Sequence, residues 1–487
     1  MLGNIDEIVK RLKKETNNLK DIIYRFKTIN KTRICVIYNE PLVSSDKISD
    51  FIIRSLTSIS NDKVSSKNLF KAIENDISNF KVSTIKTYQD LCFYMHAGFT
   101  VIIIEGENEG LVLETRADIR RSVDTPNTEN AMRGSRDSFI EDYQTNLGLI
   151  KKRIKTNDLW IDSSNIGRKT QTQVAVLAIH NIAKPELVNH VINKLKTIDI
   201  DGVITSDTLK NLIENENKSL FPTIQTTERP DTVSHALLSG KIAIVVDNSP
   251  YVLLLPTVLN DFFKTSEDTY GKSLNVSLTR ALKYLAFFIA LLAPAVYISL
   301  ITYNQEMIPT ELLVSFATQR DGVPFPAFVE ALIMIISFEI LRESDLRTPS
   351  FTGSALSIVG ALILGEAAVN AGIVSPIMII VIAITAISSL PFTELDLINS
   401  LRWYRLLFMI GATMLGVIGI AATFIFFLIK LTSLKSFGKP YLLPYAPTSI
   451  QGLKNSIIQL PLKWRNKRQS YLSDNQIKQR VDNNAKN

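Results

Sequence analysis

From Tyr284 to Leu431 the sequence is dominated by long apolar stretches, whereas the chain before and after this region is polar and charged. That split constrains the fold more than any other feature, because a spanning helix needs roughly 20 apolar residues. The overall hydrophobic fraction, 46%, is ordinary and hides the asymmetry. At 487 residues the chain is too long for one compact domain. We expect a soluble α/β N-terminal half, an all-α transmembrane domain and a short basic tail.

Tyr284–Tyr303 fits a span well, with interfacial tyrosines at both ends and Arg280 and Lys283 ahead of it. Residues 355–374 form a second candidate, rich in Gly and Ala and carrying Glu366. Residues 376–391 are apolar but short. Residues 406–431 are long enough to span with tilt. Residues 324–341 are interrupted by Glu330 and Glu339. We expect a helix lying along or dipping into the membrane there, its acids facing protein or water, with a fifth full span as the alternative.

Between Leu431 and Asn487, ten Lys or Arg face only Asp474 and Asp482. A basic segment after an apolar span is the expected cytoplasmic flank of a membrane protein. It places the net charge of +7 at a membrane rather than on nucleic acid. The N-terminus has no apolar signal-like run and is expected to form an amphipathic helix with Ile5, Ile8, Val9, Leu12 and Leu19 on one face. Both ends therefore belong on the cytoplasmic side, which requires an even number of spans and supports four.

The soluble half alternates strand-like and helix-like segments. Residues 89–116 and 231–255 share one order: helix, glycine, apolar strand, polar turn, apolar strand. Two related α/β subdomains follow. The expected boundaries are 1–30 for the N-terminal helix, 31–160 and 161–265 for the subdomains, 266–431 for the membrane domain and 432–487 for the tail. Residues 137–153 are expected to be one long helix.

Cys35 and Cys92 have no metal-ligand spacing, and the four histidines form no HxxxH or HExxH pair. No nucleophile elbow, phosphate loop or dinucleotide fingerprint occurs. An enzyme is not expected, nor a cofactor or metal.

Five stretches, RGSRDSFIED, TTERPD, GKIAIVVDNSPYVLLLP, GVPFPAFVEALIMIISFEILRESDLRTP and IVGALILGEAAVNAGIVSP, occur in this order, and together they resemble the A subunits of GerA-type spore germinant receptors. RGSRDSFIED (Arg133–Asp142) is similar to that family's RGPREGF-type stretch, with Ser135, Asp137 and Ser138 as departures. Its candidate interface or signal-relay residues are Arg133, Gly134, Arg136, Phe139 and Glu141. TTERPD carries Glu228, Arg229, Pro230 and Asp231. GKIAIVVDNSPYVLLLP (Gly240–Pro256) matches a family hairpin. GVPFPAFVEALIMIISFEILRESDLRTP carries Pro324, Phe325, Pro326, Arg342, Glu343, Arg347 and Pro349, with Ser344 and Asp345 as departures. IVGALILGEAAVNAGIVSP follows, with Glu366 where glutamine is common.

The resemblance implies a membrane nutrient sensor of the spore inner membrane. It implies a homo-oligomeric ring, with a pentamer as the expected size, that forms a ligand-gated channel for monovalent cations. The partners it implies are a transporter-like B subunit and a lipoprotein C subunit. A secondary transporter and a non-conducting scaffold for the B subunit are the alternatives. Glu330, Glu339 and Glu366 are candidate pore or membrane-buried acids. Ion pairing is the competing reading, Glu339 with Arg342 or Glu343 with Arg347 at helical spacing. For the Arg133 and Glu228 clusters the competing reading is helix capping and surface ion pairs.

Overall fold

The computed structural model describes residues 3–474 apart from 17–20, 30–31, 55, 58–69, 71–72, 74–81, 117–121, 127, 130, 132, 215–218, 348–359, 361–363, 454, 462–463 and 465–466. The chain divides into two units, Met1–Arg121 and Ser122–Asn487.

The first unit is built on a five-stranded antiparallel sheet. Its strands are β1 (Ile22–Ile29), β2 (Thr32–Asn39), β3 (Val82–Ile85), β4 (Thr100–Ile104) and β5 (Gly110–Leu113), in the order β1-β2-β4-β5-β3. Side chains alternate between faces along a strand, so β2 and β4 serve two cores. Cys35, Ile37, Val101 and Ile103 meet helices α1 (Ile5–Glu15) and α2 (Tyr88–His96). Ile34, Val36, Ile102 and Ile104 pack on the opposite side against Ile48 and Ile52. The N-terminal amphipathic helix is α1, capped by Asn4, whose Oδ1 accepts from the Glu7 N–H at 3.1 Å. Of its expected apolar face, Leu19 lies outside the described residues. Residues 22–29, expected to continue from that helix, form β1.

The second unit repeats the plan. Its strands are β6 (Leu159–Ile166), β7 (Thr172–Ile179), β8 (Gln225–Thr227), β9 (Ile242–Val246) and β10 (Val252–Leu255), ordered β6-β7-β9-β10-β8. The two sheets are therefore the same path traced twice. Helices α3 (Tyr143–Arg153) and α6 (Pro230–Ser239) cover one face. Helices α4 (Pro185–Lys196) and α5 (Ser206–Ile213) cover the other. The expected helix over 137–153 begins only at Tyr143. Asp142, in extended conformation, caps it by accepting from the Thr145 N–H at 2.7 Å, which fixes the helix start after residue 142.

Among the described residues, helices α7 (Ser273–Thr302), α8 (Thr310–Arg320), α9 (Ala327–Arg347), α10 (Pro376–Ile387) and α11 (Leu395–Ser433) follow. Two of them, α7 and α11, are long and apolar enough to cross a membrane. Of the expected span 355–374, residues 355–359 and 361–363 lie outside the described residues; 360 and 364–370 are helical and 371–374 form turns and bends. The expected span 406–431 does not run straight. Gly416 breaks α11 with φ 61° and ψ −137°. In a continuous helix residues 404 and 427 would lie roughly 34 Å apart. Instead the Tyr404 and Phe427 rings stand 4.9 Å apart, and those of Phe408 and Phe424 stand 6.4 Å apart. The segment is a helical hairpin. Its arms touch at Gly411 and Gly419, where a Cβ on Gly419 would sit 1.9 Å from the Gly411 carbonyl oxygen. The tip is held by Asn304, whose Oδ1 accepts from the Val417 N–H at 3.2 Å.

After the hairpin the chain returns to the second sheet. Strands β11 (Lys435–Ser436) and β12 (Lys439–Pro440) pair, and Ser436 Oγ donates to the Thr223 carbonyl at 2.7 Å. Phe437 enters the α4–α5 core. The helical region thus leaves from and comes back to one sheet. The basic segment, expected as a tail, is in its described part a folded strap.

Candidate functional site

The second unit holds several clusters of buried charge, and three of them lie where the sequence motifs meet the helices. The first is organised by Arg229, only 1% exposed. Its guanidinium donates to Asp231 at 3.1 and 2.8 Å, to the Glu129 carbonyl at 3.1 Å and to the Ser135 carbonyl at 2.9 Å. A buried guanidinium is tolerated only when its donors are spent in this way. Burial raises the Asp231 pKa, but the Arg229 hydrogen bond and charge outweigh it, and the carboxyl lies below its ordinary value. Tyr270 also donates to Asp231 at 3.0 Å. Glu228 accepts from Thr128 and Glu129 backbone N–H groups, while the Phe139 N–H donates to the Glu228 carbonyl at 2.8 Å. The RGSRDSF and TERPD motifs are therefore one structure: a loop clamped by the residues that open α6. Pro230 starts α6, Phe139 is fully buried, and Arg133, Gly134, Arg136 and Glu141 lie at the surface. Gly134 is needed because a Cβ there would meet the Tyr270 ring at 2.6 Å.

Glu129 lies beside this clamp. It accepts from Thr227 Oγ1 at 2.8 Å. Burial pushes its carboxyl up to about 8, with Glu228 and Glu394 adding to the shift and Arg229 opposing it.

The second cluster joins the sheet to the helices. Lys210 of α5 is buried and pairs with Glu394 at 3.3 Å and with Asp396, both at the start of α11. Glu394 also accepts from Thr226 Oγ1 of β8 at 2.9 Å. One carboxylate thus ties the strand before the TERPD clamp to the base of the hairpin.

The third cluster is within the helices. Glu330 is 0% exposed; it pairs with Arg320 at 3.1 Å and accepts from Ser375 N and Oγ at 3.0 and 2.9 Å. Pro324, Phe325 and Pro326 precede α9, and the Pro326 carbonyl accepts from the Glu330 N–H at 3.1 Å. The closest cationic partners of Glu339 are not on its own helix. It binds Arg402 at 2.8 Å and Arg405 at 3.3 Å on α11, because tertiary packing sets those arginines against it. Arg342 is half-buried nearby, Glu343 is exposed, and Arg347 ends α9. Glu366 is exposed on the helical residues 364–370. Pro349 lies outside the described residues. Among the described residues no His, Cys, Asp and Glu group could hold a metal ion.

Lys210, Glu394, Asp396, Glu129, Arg320 and Ser375 are absent from the sequence-based expectations. Only Glu394 and Asp396 carry a readable signal, as acids opening an apolar helix. Lys210 sits in an ordinary amphipathic helix and nothing local marks it as buried.

An α/β sheet unit tied by buried ion pairs to a helical region, in which α7 and α11 are apolar and long enough to cross a membrane, is the class of protein this fold defines. Residues 10–471 match the family model described as Bacillus/Clostridium GerA spore germination protein, and the chain belongs to that family. It is 39% identical to Spore germination protein KA of Bacillus subtilis (strain 168), over 93% of this chain and 84% of that one. It is 34% identical to Spore germination protein GerLA of Bacillus cereus, over 96% of both. Among solved structures it matches the crystal structure of the N-terminal domain of the A subunit of the Bacillus megaterium spore germinant receptor GerK3. That match has 31% identity and a TM-score of 0.23 and covers 53% of this chain and 96% of the other.

Proposed function

We propose that this chain is the A subunit of a spore germinant receptor, a nutrient sensor of the spore inner membrane acting with a transporter-like B subunit and a lipoprotein C subunit. In this reading copies of the chain assemble as a ring, a pentamer, that gates monovalent cations. The soluble region and the C-terminal segment lie on the spore-core side. Membership of the family along residues 10–471 carries the receptor role.

The channel reading draws on the helices. Glu339 and Arg402 keep 29% and 30% of their side-chain surface exposed. They lie amid exposed apolar residues such as Ile336, Ile340 and Leu407. Ionic groups at that depth avoid lipid and favour a water-filled lumen or a neighbouring subunit. The Lys210–Glu394–Thr226 tie offers a route by which a change in the sheet moves the hairpin.

The test is purification of the intact chain with mass measurement, followed by cation conductance in liposomes with the B and C subunits present. A ring that conducts when nutrient is added supports the channel. A monomer that does not conduct while the nutrient-bound complex is intact overturns it and leaves the scaffold. Glu366→Lys is expected to change cation leak or germination; unchanged behaviour at normal protein levels removes Glu366 from the path.

A further inference from the structure

Helix α7 begins eleven residues before the span expected from hydropathy, at Ser273 rather than at Tyr284. The cations of that extension are not at a membrane surface. Arg280 is 5% exposed and Lys283 is buried too. Arg280 bonds Asp268 at 2.7 Å and the Asn455 and Ser456 carbonyls at 3.1 and 3.0 Å. The outward face of the same turns carries Leu274, Leu278, Leu282 and Leu285, of which Leu274 is 81% exposed. Spacings of four, four and three put them on one side of the helix, in line with exposed Phe288 and Val296 further along.

A second element lies against these turns. The Gln459 N–H donates to Ser277 Oγ at 2.9 Å, so the strap runs along the start of α7. It too shows apolar side chains: Ile450, Ile457, Ile458 and Trp464 are exposed, Trp464 by 70%. In sequence Trp464 sits between Lys463 and Arg465, with Lys467 and Arg468 following, and no Asp or Glu occurs from Leu397 to Ser473. Apolar residues, an aromatic and cations without acids match the boundary between headgroups and acyl chains of an anionic bilayer.

We propose that the first three turns of α7 and residues 450–453, 455–461 and 464 form a collar seated in the headgroup–acyl boundary of an anionic bilayer. The collar continues the lipid-facing side of α7, and it rests on the membrane reading given above. Arg280 is folded inward beneath the strap and Lys283 inward toward Thr265, which takes off the outward face the charges that would otherwise keep these turns in water.

The test uses the full chain in liposomes containing anionic lipid. Two variants each keep one tryptophan, Trp403 or Trp464, the others being replaced by phenylalanine. Lipids brominated near the headgroup are expected to quench Trp464 by about half, while aqueous iodide has little effect at a depth of 5–10 Å. If iodide quenches Trp464 and bromolipid does not, while bromolipid quenches Trp403, the collar is overturned and the membrane reading stands. Protection of Trp464 from both quenchers means another protein covers the patch, which also overturns the collar. If bromolipid fails to quench Trp403 as well, the membrane reading falls with it.

Discussion

Glu330 has no exposed surface, and both its oxygens are engaged by Arg320 and Ser375. Removing one partner of a buried pair leaves an uncompensated charge, at a cost of about 3–5 kcal/mol. Arg320 keeps some solvent contact, so Glu330→Ala is expected near the lower end, about 3 kcal/mol, read by thermal unfolding of the purified chain. A loss below about 1 kcal/mol would mean that the ion pair is not formed in the membrane protein. Glu129 gives a pH prediction. Its folded pKa of about 8 lies above its unfolded value, so the folded state holds the proton more tightly. The stability it contributes is complete at pH below about 4.5, falls as pH rises and is lost by about pH 8. Glu129→Gln should flatten the dependence of Tm on pH across that window, whereas an unchanged slope would place the titration elsewhere. Sequence motifs singled out Glu330 and Arg229 but not Glu129. Its raised pKa arises from burial beside Glu228 and Glu394, residues far apart in the chain.

At the scale of elements, the hairpin of α11 is the main departure from the hydropathy reading. Hydropathy sums side chains over a window and cannot register a single residue whose backbone reverses the chain. Gly416 was one glycine among several in 406–431. It is distinguished by its φ and by Tyr303, whose Cβ lies 2.8 Å from where a Gly416 Cβ would be. Gly416→Ala is expected to destabilise the tip by about 1–3 kcal/mol. Phe408→Cys with Phe424→Cys tests the geometry: a short bis-thiol cross-linker should join them within one chain, and failure under conditions that join a control pair rejects the hairpin. The repeated strand–turn–strand pattern was legible because each copy carries its own period-2 runs and turn residues. Strands β1, β3, β6 and β8 were not legible. They are short or polar on one side and owe their conformation to ladders such as Ile22↔Asn39 and Val252↔Thr227.

Across the second unit as a whole, the strap and the Lys210–Glu394 tie make the sheet and the helices one mechanical body. Truncation after Ser433 would remove Phe437 from the α4–α5 core and Leu472 from its place over Gly240. Residues 122–260 are then expected to be cut by protease at least tenfold faster, a change of roughly 1.4 kcal/mol in local opening. Equal rates would show that the strap adds no stability to the sheet. By itself the sequence determined the division into soluble, apolar and basic parts, the two α/β hairpins and the family. Each of these is written in local composition, periodicity or contiguous motifs. Only the tertiary structure decided that Arg229 joins the two soluble motifs, that Glu339 faces α11, that α11 doubles back and that the basic segment returns to the sheet. Apart from the α11 hairpin, whose decisive contacts are local but turn on one backbone conformation at Gly416, these depend on contacts between residues from about 60 to over 200 positions apart, as with Glu339 and Arg405 or Thr223 and Ser436. The energy of such a contact comes from burial that no local window contains.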